Sequence, residues 1–168
     1  LLAVFSPTSD EERDRVAYLR GRNLLVGGNP DEGRAELESL RQRSPDSEWA
    51  RKGFASLVRF FLQRQPADEG KTLLKELVRR YPDTVETGDV LLTYAERLSQ
   101  GDDVGAAIAL YLELAEKCPS HARAANALLL AADLQRERAD RTHAIKTYLR
   151  LVEKYPRDVL VPEAAFRA

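Results

Sequence analysis

Cysteine is nearly absent. Cys118 is the only one, so no disulfide can form within the chain, and the redox compartment stays open. Histidine is almost as scarce: His121 and His143 are the only two. Neither has a cysteine or an acidic ligand at metal-binding spacing. An excess of one charge is also missing. The formal net charge of −1 gives no global field to draw in nucleic acid or an anionic membrane. No apolar run approaches the ~20 residues of a membrane span. Gly27-Gly28 and Gly101 lack a GKS or GxGxxG context and read as turn glycines. No Ser/His/Asp arrangement can be assembled. No residue is therefore assigned to catalysis, to a cofactor or to a metal.

What the chain does have is a folded composition. Over 168 residues it is 43% hydrophobic and 32% charged, unlike a disordered segment. Its organising stretch is Thr142 to Pro156, where Ala144, Tyr148, Leu151, Val152 and Tyr155 fall on one helical stripe. Pro156 stops that helix, because the residue before a proline is pushed out of the α region. The same pattern stands 37 residues earlier as Ala107, Tyr111, Leu114, Ala115, Cys118 and Pro119. Another step gives Gly70, Leu74, Leu77, Val78, Tyr81 and Pro82, and a third gives Gly33, Leu37, Leu40, Arg41, Ser44 and Pro45. A preceding helix keeps its own columns: Ala17, Phe54, Leu91 and Leu128; then Gly21, Val58, Ala95 and Ala132; then Leu24, Phe61, Leu98 and Gln135. Shared apolar columns with unshared charges are the signature of stacked repeats that bury their faces against neighbours.

The pattern predicts helix pairs. Ser9 and Glu12 form a capping box, opening a helix over about Asp10–Val26. Asn29 and Pro30 are placed to cap and start the next, which ends near Ser44. Later helices are expected over Ser47–Arg64, Pro66–Tyr81, Val85–Ser99, then from after the turn Gln100–Asp103 to Cys118, His121–Glu137, and from near Asp140 to Tyr155. A last helix follows, with Pro162 in its first turn. The expected organisation is a tail at 1–8, repeats at 9–45, 46–82, 83–119 and 120–156, and a capping or partial fifth helix at 157–168. The apolar Leu1–Phe5 reads as a docked or frayed tail, or as the end of an upstream membrane anchor or signal segment. The start at Leu1 reads as a fragment of something longer, or a processed chain.

These columns resemble the tetratricopeptide repeat family, in which helix A carries an aromatic or Leu, a Leu, a small residue and an aromatic, and helix B carries Ala, an aromatic, a small residue and Pro. Leu91, Tyr94, Ala95 and Leu98 followed by Ala107, Tyr111, Leu114 and Pro119 carry the likeness, as do Phe54, Leu57, Val58 and Phe61 followed by Gly70, Leu74, Leu77 and Pro82. The period is 37 against the usual ~34. Leu40, Leu77, Leu114 and Leu151 replace the common Ala, and helix B ends RRYP, EKCP or EKYP. In these details the chain resembles long-period repeats of bacterial cell-envelope proteins, such as the lipoproteins assisting outer-membrane barrel assembly and the periplasmic coordinator of the Tol–Pal system. Arg20 and Arg41 sit in usually apolar columns, which fits an N-terminal cap with one solvated face.

The resemblance implies an all-α, right-handed superhelical solenoid of helix-turn-helix hairpins and a non-catalytic role as a protein-interaction scaffold. It places helix A along a concave surface. Three inner columns follow on this sequence: Arg15, Lys52, Asp89 and Asn126; Tyr18, Ala55, Leu92 and Leu129; Arg22, Arg59, Glu96 and Asp133. The outer two are basic in the first two repeats and acidic or neutral in the last two. The middle column is largely apolar. Such a groove would hold an extended peptide or amphipathic helix of another protein. The bland alternative is a set of ordinary solvated positions. The same columns lack the regular Lys/Asn/Arg set of carboxylate-clamp members. A second reading is a regulatory or oligomerisation domain attached to an enzyme or a membrane protein, self-associating through its C-terminal end, with Phe166 and the Leu151/Val152 face. Nucleic acid is not an expected partner, nor is membrane insertion by residues 6–168. His121 and His143 read as surface or capping residues, and Cys118 as a packed residue at a helix end. The envelope likeness leans towards the bacterial periplasm or a membrane-tethered domain, with the cytoplasm as the other setting.

Overall fold

The computed structural model describes residues 9–64, 66–101 and 103–168. The expected tail at 1–8 and Asp102 of the third turn lie outside them. The described residues form α1 (Asp10–Val26), α2 (Pro30–Arg43), α3 (Glu48–Leu62), α4 (Asp68–Arg80), α5 (Val85–Ser99), α6 (Val104–Lys117), α7 (Ala124–Glu137), α8 (Arg141–Lys154) and α9 (Val161–Arg167). No strand occurs among them. The chain divides into two compact units, Leu1–Leu77 and Val78–Ala168.

Helix starts follow the capping chemistry. Ser9 Oγ accepts the Glu12 N–H at 3.1 Å, Ser47 Oγ accepts that of Ala50 at 3.1 Å, and Asp103 Oδ1 accepts that of Ala106 at 3.0 Å. Each satisfies one of the free donors of a first turn. Asn29 departs from expectation: it occupies the cap position of α2, yet its side chain makes no capping bond. Pro30 in the first turn supplies the fixed φ instead. Helix ends repeat. Ser44, Cys118 and Tyr155 donate their N–H groups to Leu40, Leu114 and Leu151 at 2.9, 2.8 and 2.9 Å. The three acceptor leucines are fully buried.

In the first unit, α1, α2 and α3 pack on one another, around Ala17, Leu40 and Ala50, with Tyr18 and Trp49 against them. The helices approach closely at glycines. A Cβ on Gly33 would lie 2.6 Å from Leu25 N and 2.8 Å from Gly21 O. Polar ties join α2 to α4, where Arg34 bonds both Glu38 and Glu69, and Arg41 bonds Glu76. Arg41 corrects an expectation. It is not on a solvated face: its guanidinium carbon stands 4.6 Å from the Phe54 ring centroid, and its Nε is buried without a partner. Arg20 does remain exposed, 3.8 Å from Glu36.

In the second unit, α7, α8 and α9 share a core of Ala125, Leu128, Ala132, Tyr148, Leu151 and Ala164. Tyr155 Oη donates to Pro119 O at 3.2 Å, and Lys154 Nζ bonds Ala115 O. Helix α7 starts three residues later than His121, the expected opening. His121 stands in the column of the caps Ser47 and Thr84, but offers an imidazole where they offer a hydroxyl. Residues 121–124 form a turn instead, in which Ala124 N donates to His121 O at 2.9 Å. The ring lies over α5, where a Cβ on Gly88 would fall 2.4 Å from His121 Cδ2.

Candidate functional site

The candidate site lies in the first unit, on the face shared by α1 and α3. Residues four apart on a helix fall on one side. Tyr18 and Arg22 on α1 therefore line up, and so do Lys52, Ser56 and Phe60 on α3. Tyr18 packs on Trp49 with ring centroids 5.6 Å apart and a 37° tilt. Cations cover both rings. Arg15 Cζ stands 5.7 Å and Lys52 Nζ 4.8 Å from the Trp49 centroid, and Arg22 Cζ stands 5.7 Å from that of Tyr18. The rings hold the cations in place through their negative faces. Arg15 and Arg22 make no ion pair among the described residues. Lys52 is paired with Glu48.

Beside this cluster a cleft of about 290 Å³ opens between α1 and α3. Tyr18, Leu25, Val26 and Phe60 give it apolar walls. Arg22, Arg59, Ser56 and Gln63 supply the polar groups, and no acidic residue lines it among the described residues. A further cation, Arg64, stands 4.3 Å from the centroid of Phe60. An apolar cleft with two guanidinium groups and no carboxylate favours a ligand that combines an apolar anchor with negative charge.

The structure thus brings Arg15, Tyr18, Arg22, Lys52 and Arg59 onto one face. Trp49, Leu25, Val26 and Phe60 complete it and were not legible as site residues, because none falls in the three inner columns. Trp49 carried one signal, as the only tryptophan.

The other columns are spent internally. Asp89 Oδ1 is 3.2 Å from His121 Nε2. Glu96 pairs with Arg123 at 3.1 Å, and Asn126 Oδ1 accepts from Arg123 at 3.0 Å. Asp133 accepts two bonds from Arg167 at 2.6 and 2.7 Å, and one from the Tyr148 hydroxyl. Burial, reinforced by Asp133, raises the Tyr148 phenol above its usual range. The expected apolar floor is closed as well: Ala55, Leu92 and Leu129 are 0%, 5% and 7% exposed. Of that column up to Leu129, Tyr18 alone keeps open surface.

Elsewhere, Cys118 is fully buried, and burial pushes its thiol pKa up. His143 Nδ1 sits 2.8 Å from Asp140 at the start of α8. No group of three His, Cys, Asp or Glu side chains is placed to hold a metal ion among the described residues. None of their helices is long and apolar enough to cross a membrane.

The hairpin of α7 and α8 has a counterpart among known families. Residues 126–158 match the tetratricopeptide repeat. The match spans most of α7, all of α8 and the Tyr155-Pro156 stop, the stretch whose columns recur through the chain. With no strand among the described residues, the fold class is an all-α helical repeat. Tetratricopeptide repeats generally mediate protein–protein interactions and are typically non-catalytic. No curated protein matches the chain.

Proposed function

We propose that this protein is a non-catalytic interaction scaffold, and that the α1–α3 face of its first unit receives an acidic segment of a partner protein. The observation that carries the reading is the placement of Arg22 and Arg59 with the apolar walls of Tyr18 and Phe60 in one cleft that no carboxylate lines among the described residues. An apolar side chain of the partner would fill the cleft, contributing about 1.5–3 kcal/mol if fully buried. Its carboxylates would meet the two guanidinium groups and fix its direction. Trp49, Tyr18 and the cations over them would extend the contact along the same helices. The matching columns of the second unit carry Glu96 and Asp133 in place of the two arginines, and these acids pair with Arg123 and Arg167.

The test uses arrays of 15-residue peptides rich in Asp and Glu, each with one aromatic or aliphatic anchor, beside copies with every acid changed to Lys. Fluorescence anisotropy should show binding to acidic peptides only. Arg22→Glu with Arg59→Glu should weaken it by at least tenfold, or ~1.4 kcal/mol, with helical content unchanged. Equal binding of the acidic and basic sets, or an unaffected double variant, overturns the reading.

A further inference from the structure

We infer that the occupant of the α1–α3 face is an amphipathic α-helix, carrying two carboxylates seven residues apart and an apolar side chain midway between them. This rests on the proposed function, in which that face takes an acidic segment of a partner protein.

Helices α1 and α3 run side by side in the same direction. Arg15 and Tyr18, in the first half of α1, meet Trp49 at the start of α3. Leu25 and Val26, at the end of α1, share the cleft with Phe60 and Gln63 at the end of α3. The cations form two rungs across the pair. Arg15 and Lys52 both stand over the ring of Trp49, at 5.7 and 4.8 Å. Arg22 and Arg59 line the cleft together. From Arg15 to Arg22, and from Lys52 to Arg59, is a step of seven residues. Seven residues make almost two full turns, so the rungs fall on one side of each helix and ~10.5 Å apart along it. Arginine has a long reach, but stacking on Trp49 and Tyr18 limits where Arg15 and Arg22 place their charge.

That interval fits a helix and misfits a strand. In a partner helix, residues i and i+7 share one side and stand ~10.5 Å apart, the spacing of the rungs. An extended segment rises ~3.3 Å per residue and alternates its faces. Its carboxylates on one face stand ~6.6 or ~13 Å apart, and the residue ~10 Å along points away. The apolar wall falls at the matching place. Tyr18 lies three residues after Arg15 and four before Arg22, and walls the cleft with Phe60. A partner side chain at i+3 or i+4 reaches that wall from the side that carries both acids. A further apolar side chain, one turn beyond the Arg22 rung, meets Val26, which is 77% exposed at the open end of the cleft.

Titrating the whole chain with three synthetic peptides of about 16 residues, read by fluorescence anisotropy, tests this. The first is a helix locked by a hydrocarbon staple on its outer side, with Glu at i and i+7 and Leu at i+4. The second keeps the staple but has Glu at i and i+5, which turns the second acid away by ~140°. The third has no staple and carries Pro between the glutamates, which breaks the helix. Circular dichroism checks the peptides and the protein variants. The first peptide should bind at least ~10-fold more tightly than either of the others. Changing one of its glutamates to Lys should remove that advantage. Arg15→Glu should recover binding for one of the two positions, and Arg22→Glu for the other. Equal binding of the three peptides, tighter binding of the Pro form, or rescue of both positions by the same variant overturns the helix and leaves the acidic-segment reading standing. So does a locked helix that fails to bind while acidic peptides of the arrays succeed. If no acidic peptide of either set binds, both are overturned.

Discussion

Asp83 and Ser120 stand one repeat apart and clasp each other. Asp83 Oδ1 accepts the Ser120 backbone N–H at 2.9 Å, and its Oδ2 accepts the Ser120 hydroxyl at 2.7 Å. Asp83 is held in a left-handed conformation at φ 53°, while its N–H donates to Lys117 O at 2.9 Å. One residue thus ties the end of α6 and the turn after it to the approach to α5.

The two Ser120 donors hold the Asp83 carboxyl below the usual carboxylate range. A depressed folded pKa means that the unfolded state takes up protons first. The contribution to stability is therefore present above the ordinary value of ~3.9 and is lost as pH falls through the lower folded value. Asp83→Asn tolerates the left-handed backbone but cannot titrate. Thermal melts should show wild type losing its advantage over this variant as pH drops from about 5 to about 2. A constant difference across that range would remove the carboxylate from the account.

Gly33 and Gly70 should resist enlargement. A Cβ on Gly70 would fall 2.5 Å from Leu62 N and one on Gly33 2.6 Å from Leu25 N, and backbone cannot step aside as a side chain can. Gly33→Ala and Gly70→Ala should each cost roughly 1–3 kcal/mol in urea unfolding. At Gly105 the nearest atom is 3.9 Å away, so Gly105→Ala should be neutral or stabilise by up to ~1 kcal/mol. Equal effects at the three sites would show that close approach is not what selects glycine.

Asp133 should behave as a structural residue. Asp133→Ala removes the acceptor of Arg167 Nη1 and of the Tyr148 hydroxyl, while Arg167 Nη2 keeps Glu163, at roughly 1–3 kcal/mol for the hydroxyl left without a partner. Amide exchange in 161–167 should accelerate, while exchange in α1 stays as it was. Unchanged protection of α9 would show that Ala164, Leu160 and Val161 hold it without help.

Cys118 should be inert in the folded chain. A fully buried thiol whose pKa is raised by burial must await an opening before its thiolate can react. Labelling by a thiol reagent at about pH 8 should be at least ~100-fold slower than in denaturant. Rapid labelling would mean that the end of α6 frays readily.

Helix positions were largely legible because each rests on local chemistry that a sequence displays. Ser9 announces α1, and Pro45, Pro119 and Pro156 follow the ends of α2, α6 and α8. The start of α7 was not legible, because His121 occupies a capping column without capping chemistry, and its ring is used against Asp89 and Gly88. The partial burial of Arg41 was hidden for a related reason. Whether a long cation is solvated depends on its reach to Phe54 and Glu76, which lie on other helices. For the site, the columns named Arg15, Tyr18, Arg22, Lys52 and Arg59, which the structure sets on α1 and α3. A column shows where a side chain stands and not which neighbour already holds it. Leu92 and Leu129 are covered, and Asp133 is occupied.

The grip of Arg167 on Asp133 also sets the terms on which any outside cation could bind there. Arg167 is delivered by the chain itself, at an effective local concentration in the millimolar range or above. A partner present at micromolar concentration must outcompete a rival that never diffuses away. The clasp works as a built-in competitive inhibitor of any such partner at Asp133.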